Sequence, residues 1–342
     1  MNDPTPPTPP FEFPRVIDNT MYSDWRSCPH RFFRRHCQGL TKGRTSVHLF
    51  FGGCFASSME VTRLAYLGWF REFYEDEIGA PQVRWVRRQP DDLRDAVKLG
   101  CEEFMRAWGN FQIPDHATRT EQQKNLAAGL AAIESYYREW PLDEDTVEIY
   151  HHDDQPAIEF SFAIPIGVQH PDTGEPIGYC GRFDAIVREG KAMYGLDDKT
   201  TSSLGEHWRN QWRLRSQFTG YVWGAAEHGI ALDGFIVRGT AILKTMVQHE
   251  QVTVARPPWH VRRWHAQLEC DVRDMVAQYN ELKALGPAGD TVEPHPFRRN
   301  LDHACSDFNG CEFLDLCAAE HPDVWVADFA VDRWNPLRRP SA

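Results

Sequence analysis

The stretch GYCGRFDAIVREGKAMYGLDDKT, residues 178–200, decides the reading of this chain. Two strand-like runs, 178–188 and 192–200, flank a tight Glu189-Gly190 turn, the pattern of an antiparallel hairpin. With that turn Asp184 faces Gly195. Strand alternation then puts Gly195, Asp197 and Lys199 on the side of Asp184, while Asp198 points away. Asp184 and Asp197 become diagonal neighbours, about 7–8 Å apart at the backbone, with side chains able to converge. Gly195 opposite Asp184 is expected to leave room for an ion. Two carboxylates plus water suit magnesium or manganese, which prefer oxygen ligands in octahedral geometry. Lys199 on the same face is placed to orient or help deprotonate a metal-bound water and to offset charge on a phosphate. Alone, a D-x-K triplet is more often the solvated end of a strand. Two neighbours favour a site: the apolar MYGL before it, and the helix after it. There Arg213, Gln217 and Tyr221 recur every four residues beside an apolar stripe of Leu214, Phe218 and Val222.

Around this hairpin the periodicity gives strands at 157–167, 234–244 and 249–255, with the first joined to 178–188 in a meander. Helices are expected near 22–36 with an N-cap at Ser23 or Asp24, from about Ser57 after Gly52-Gly53, over 91–140 with a break at Ile113-Pro114, at 206–227, and at 259–284 after Pro257-Pro258. Residues 1–13 and 326–342 read as tails. The span 14–325 reads as one α/β domain without a linker: a helical region about 57–140, a sheet and helices about 150–290, and a cysteine-rich closing segment about 294–320.

The 342 residues carry a formal charge of −12, which argues against a generally adhesive nucleic-acid surface but leaves room for a local basic groove. No run approaches the roughly 18 apolar residues of a membrane span, so no membrane partner is expected. The opening MNDPTPPTPP has neither the basic nor the apolar region of a secretory signal. Nine cysteines, an odd number, speak against a disulfide framework and for a reducing, cytoplasmic setting. Walker, G-x-G-x-x-G and G-x-S-x-G motifs are absent, so any motor must be another chain.

The ordered set G-x-x-D (Gly181 to Asp184), D-x-K (Asp197 to Lys199) and Q-x-x-x-Y (Gln217 to Tyr221) resembles the RecB-like branch of the PD-(D/E)XK nuclease superfamily. The resemblance implies a restriction-endonuclease-like fold, a mixed central sheet flanked by helices. It assigns the catalytic metal to Asp184 and Asp197, assistance of the attacking water to Lys199, and the flank of the site to Gln217 and Tyr221. Upstream, FGGCFASSME resembles the first motif of that family, with Glu60 at its acid and Ala56 where the family carries a histidine. Glu60 is therefore a third candidate metal ligand. Ser57-x-x-Glu60 also reads as a capping box, with Glu60 a helix-start residue without chemistry; both readings stand at this point.

Cys305, Cys311 and Cys317 are spaced too widely for a compact zinc knuckle. With Cys28, in a Cys-Pro-x-Arg-Phe-Phe context, they resemble the one-early, three-late cysteines of the iron–sulfur members of this family, including small CRISPR-associated and phage-encoded exonucleases. That resemblance implies a 4Fe-4S cluster, with zinc as the alternative, clasping the terminal segments to the nuclease core. Closing so long a loop would cost an unfolded chain roughly 5 kcal/mol. The other cysteines, Cys37, Cys54, Cys101, Cys180 and Cys270, read as core residues.

The expected activity is a divalent-metal-dependent DNA exonuclease acting on single strands or frayed ends, in recombination, repair or phage- or CRISPR-related DNA processing. Arg213, Arg31, Arg34 and Arg35 are its candidate phosphate contacts, and Trp25, Phe32 and Phe33 are candidates for stacking or for core packing. A recombination or helicase protein is a possible partner. The alternative is a weak or inactive DNA-end-binding protein of the same fold with a structural iron–sulfur cluster.

Overall fold

A computed structural model of the chain describes residues 10–43, 46–75, 81–286, 292–306, 310–320 and 323–337, in two compact units. One unit lies within 46–161 and 182–258 and holds the hairpin. Its strands β1 (Val147–Ile149), β2 (Ala185–Glu189), β3 (Ala192–Thr201), β4 (Gly234–Ile242) and β5 (Val247–Ala255) form a five-stranded sheet in the order β5-β4-β3-β2-β1. Only β3 and β4 pair in parallel. A parallel pair needs a crossover, and that connection carries the helix Ser216–Glu227. Every residue of β4 is buried, as expected of a strand covered on both faces.

The helices of this unit are α1 (Val47–Tyr66), α2 (Leu93–Trp108), α3 (Leu126–Glu139) and α4 (Ser216–Glu227). Helix α1 starts ten residues before the position expected at Ser57. Gly52 and Gly53 cost a helix about 1 kcal/mol each, but Phe51, Phe55 and Met59 bury one face against Phe104, Trp108, Ile133 and Tyr136, and that burial outweighs the local penalty. Ser57 and Glu60 are thus mid-helical, and the capping-box reading is overturned. The 206–227 helix is broken into Glu206–Asn210 and α4. Leu214, expected in the docking stripe, is in the break and 79% exposed, whereas Phe218 and Val222 are buried.

The predicted strand 178–188 is split between two sheets. Pro176–Arg182 belongs to a separate three-stranded sheet with Val16–Ile17 and Ser161–Gln169, and Ala185–Glu189 is β2. The expected hairpin of 157–167 with the first part of 178–188 is formed, but the three strands do not continue as one meander, and Asp184 sits at the break between the two sheets.

The second unit lies within 10–43, 162–181 and 259–337. Asp18 caps its first helix, Asn19–Ser27, by accepting from the Met21 amide; the cap expected at Ser23 or Asp24 is displaced because the helix begins earlier. The terminal stretches are not free. Phe13 is buried, with its ring 5.3 Å from that of Tyr279 on the helix Pro258–Ala284. Near the other end Ala330–Val331 pairs with Leu40–Thr41, and Trp334 donates to Asp18 at 2.9 Å. The expected tail residues 1–9 and 338–342 lie outside the described residues. Among the described residues, no helix is long and apolar enough to cross a membrane.

Gly195 opposes Ile186, and a Cβ built on it would lie 2.3 Å from the Phe235 ring. The glycine thus admits an aromatic ring from the neighbouring strand and does not leave an ion-sized gap. Gly195→Ala should destabilise the fold by about 1–3 kcal/mol, measured by urea denaturation; unchanged stability would show that Phe235 is not fixed there.

Candidate active site

The β2–β3 register pairs Glu189 with Ala192 and runs to Ala185 opposite Leu196. The turn is Gly190-Lys191, with Gly190 at φ +60°, one residue later than expected. This moves the partner of each β2 residue by two positions, which preserves which side chains share a face. Extended one step beyond the last pair, the register sets Asp184 opposite Asp197 and not on the expected diagonal, and the charge of Asp197 reaches Asp184.

The Asp198 amide donates to Asp184 Oδ2 at 2.7 Å. On the same face Lys199 Nζ lies 2.6 Å from Asp197 Oδ1. From α4, Gln217 Nε2 sits 3.5 Å from Asp197 Oδ2 and 3.4 Å from the Tyr221 hydroxyl. Phe218 stacks on Phe235 at 4.5 Å, which seats α4 on the sheet and aims Gln217 and Tyr221 at the carboxylates. Asp184, Asp197, Lys199, Gln217 and Tyr221 are therefore brought together.

The electrostatics are those of a pair short of positive charge. Burial, and then the charge of Asp197, holds the Asp184 carboxyl well above the usual carboxylate range. Burial also raises Asp197, against the opposing pull of Lys199. Burial alone would lower the Lys199 ammonium, but Asp197 and Asp184 together raise it above its ordinary value. Tyr221 is pushed up to about 12, first by burial and then by Asp197. Two carboxylates against one ammonium leave a deficit that a divalent cation would fill. The donor set, two acidic oxygens with the remaining positions left to water, suits magnesium or manganese better than softer metals. Among the described residues, no group of three or more His, Cys, Asp and Glu side chains is arranged to hold a metal, the four cysteines singled out above included.

Glu60 is not brought to that pair. It is held by Arg71 at 2.7 Å, and Arg71 also reaches Glu103 at 3.3 Å. Its helix α1 packs on the other face of β3, where Gly52 approaches Thr200 and Arg63 meets Asp198. Arg213 is exposed in the segment before α4, off the helix stripe on which it was expected. Arg215 is the arginine whose charge reaches Asp197. Behind it Arg256, 2% exposed and pushed down to about 10 by burial, donates to Thr219 Oγ1 at 2.9 Å and to the Trp212 carbonyl at 2.8 Å. Arg256 fixes the segment that presents Arg215. Neither arginine was legible from periodicity, because the helix break that gives them their places is set by tertiary contacts.

In the other unit the basic cluster turns inward. Arg31 and Arg35 both bind Asp24, at 2.7 and 3.0 Å, and Arg35 Nε also donates to Glu312 at 2.9 Å. Arg34 is buried and donates to Gln38 at 2.8 Å. Phe32 and Phe33 are fully buried, which settles them as core. These arginines take part in the architecture of the unit, through Asp24, Glu312 and Gln38. Cys28, Cys305, Cys311 and Cys317 line one cavity, together with Arg31 and Arg299. None of the four is joined in a disulfide. Burial pushes the Cys311 and Cys317 thiols up. Of the other cysteines, Cys270 is exposed on its helix and so is not core.

Residues 20–318 match the family model of the PD-(D/E)XK nuclease superfamily. The chain belongs to that superfamily. Membership of the PD-(D/E)XK superfamily carries divalent-metal-dependent nuclease chemistry and DNA as its substrate class, and the mixed α/β architecture agrees with it. Superfamily members generally use magnesium or manganese. Among solved structures the chain is similar to the crystal structure of SSO0001, at 16% identity over 52% of this chain and 75% of that one, with a TM-score of 0.25. No curated protein gives a significant match.

The Asp184 pair also makes a stability prediction for this superfamily member. A carboxyl whose pKa the fold raises stabilises the folded chain below the ordinary value of about 3.9, and that contribution is lost as pH rises toward the raised value. Metal-free protein should therefore lose stability upward from about pH 4. Asp184→Asn keeps an oxygen for the Asp198 amide and removes the charge. In EDTA at pH 8 it should melt above wild type, by roughly 2–4 °C for each kcal/mol gained, with the gap closing toward pH 4. A variant no more stable than wild type at pH 8 contradicts the repulsion.

Proposed function

We propose that the chain is a DNA exonuclease that works on single strands or frayed ends, with Asp184 and Asp197 as ligands of a catalytic divalent cation. The observation that carries the reading is the approach of these two carboxylates at the end of the β2–β3 ladder, with Lys199 2.6 Å from Asp197. A cation held there supplies Lewis-acid polarisation of a phosphate and a water nucleophile usable at neutral pH. Lys199, kept protonated by its two acidic neighbours, donates to a phosphate oxygen and offsets charge that builds up on it. It acts as an ammonium and not as a base. Gln217 and Tyr221 orient Asp197 and border the phosphate, and Arg215 supports the strand at the entrance of α4.

The four thiols of Cys28, Cys305, Cys311 and Cys317 suit a 4Fe-4S cluster in their chemistry: thiolate donors on one cavity, with guanidinium groups in its wall. Such a cluster would bind the first helices of its unit to the closing segment 305–317 and would do no redox work in the cleavage. A net charge of −12 favours delivery of DNA by a recombination or helicase partner. One observation favours the alternative of a weak or inactive end-binding protein: Ala56 supplies no ligand, and Glu60 is taken by Arg71.

Two experiments test these readings. Asp184→Ala and Asp197→Ala should each abolish magnesium- or manganese-dependent release of nucleotides from end-labelled DNA, and Lys199→Ala should slow it by about 100-fold or more. Cleavage that survives in both aspartate variants removes the proposed centre, and DNA binding without cleavage in the wild type supports the alternative. Protein purified without oxygen should contain about four iron and four sulfide per chain, lost in Cys311→Ser. Zinc in their place would overturn the cluster.

A further inference from the structure

We propose that Arg63 is a positioning residue for the metal-binding carboxylates, acting through Asp198 from the reverse face of β3. The proposal rests on the metal-centre reading above and names a residue which that reading does not use. The β2–β3 ladder stops at Ala185 and Leu196, so the Asp198 amide has no strand partner on that side. It is satisfied instead by Asp184 Oδ2 at 2.7 Å. A strand amide left without a ladder partner takes another acceptor, and for this part-buried amide the acceptor is one of the proposed metal-binding carboxylates. Whatever fixes residue 198 therefore fixes one oxygen of Asp184.

Residue 198 is fixed from behind. Its side chain is 2% exposed and lies 2.6 Å from Arg63 NH2, whose own side chain is 2% exposed. The Tyr136 hydroxyl donates to Asp198 Oδ1 at 2.7 Å and accepts from Arg63 NH2 at 3.0 Å. Arg63 comes from α1 and Tyr136 from α3, so two helices grip one strand residue. The network continues to Arg238 on β4, which pairs with Asp145 at 2.7 Å and lies 3.5 Å from the Tyr136 hydroxyl. Because β3 and β4 pair Asp198 with Arg238, the fixing extends across the neighbouring strand. A buried ion pair is an expensive way to fill the back of a central strand, since apolar residues of the same volume often stabilise as well or better. Holding an orientation is what the charged pair adds. Arg63 thus sets the angle at which the Asp198 amide meets Asp184, and with it the separation of Asp184 from Asp197. Partners one step removed from a metal ligand commonly change metal affinity by 10–100-fold.

The test uses the full-length protein and reads manganese binding by calorimetry without DNA, beside thermal melting and steady-state cleavage. Arg63→Met alone strands a buried aspartate, so the informative variant is the double substitution Arg63→Met with Asp198→Leu. It should melt near wild type, bind manganese about tenfold more weakly or worse, and lose kcat while KM for DNA stays unchanged. Arg63→Lys, which keeps the charge, should bind manganese within about threefold of wild type, and a larger loss counts against the proposal. If the double variant does not fold, Tyr136→Phe removes the hydroxyl that donates to Asp198 Oδ1 and accepts from Arg63, and it should weaken manganese binding measurably while KM for DNA stays unchanged. Wild-type manganese affinity in a folded double variant, or in Tyr136→Phe where that is the one used, overturns the positioning role alone, provided that wild type binds manganese and Asp184→Ala does not. A wild type that binds no manganese overturns the positioning role together with the metal centre.

Discussion

One hydrogen bond, from the Asp198 amide to Asp184 Oδ2 at 2.7 Å, sits where two strands stop pairing, and the site is organised around it. Antiparallel pairing carries β2 and β3 side by side as far as Ala185 and Leu196. One residue further along, the chain before β2 is no longer in the sheet, and a carboxylate occupies the place of a strand carbonyl. The end of the ladder thus does two jobs. It gives an acceptor to a part-buried strand amide that the ladder leaves unpaired, and it brings Asp184 level with Asp197 and Lys199.

The cost of that arrangement is electrostatic. Burial raises both Asp184 and Asp197, the charge of Asp197 raises Asp184 further, and the single ammonium of Lys199 does not balance them. Strain of this kind persists only where the surroundings over-determine the geometry. Phe183, Phe218 and Phe235 stack in front, at 5.6 and 4.5 Å from ring to ring, and Gly195 leaves space for the middle ring. Behind, Arg63 and Tyr136 clamp Asp198. A rigid scaffold around an under-neutralised pair is what a cation site needs before its ion arrives.

Much of this centre was legible in residues 178–200, because alternation along a strand does not depend on the exact turn. The turn falls at Gly190-Lys191 instead of Glu189-Gly190, yet the register moves by two, and Asp184, Asp197 and Lys199 keep a common face. What the sequence could not supply was tertiary. Gly52-Gly53 looked like a helix boundary, but the buried face through Phe51, Phe55 and Met59 carries α1 across it and moves Glu60 to Arg71. The stripe Arg213, Gln217, Tyr221 assumed one continuous helix, and the break before Ser216 exposes Arg213 and brings in Arg215. The arginines near Cys28 looked available to phosphate until the carboxylates of Asp24 and Glu312, one of them distant in sequence, were seen to hold Arg31 and Arg35.

The central claim is spatial: one divalent ion bound between the carboxylates of Asp184 and Asp197, beside Lys199. Anomalous diffraction from a crystal of this protein grown with manganese tests it most directly. The account predicts a single strong manganese peak within coordination distance of an oxygen from each aspartate, with water in its remaining positions. Manganese absent from that place in an otherwise ordered site, or bound elsewhere and leaving both aspartates uncoordinated, would contradict it.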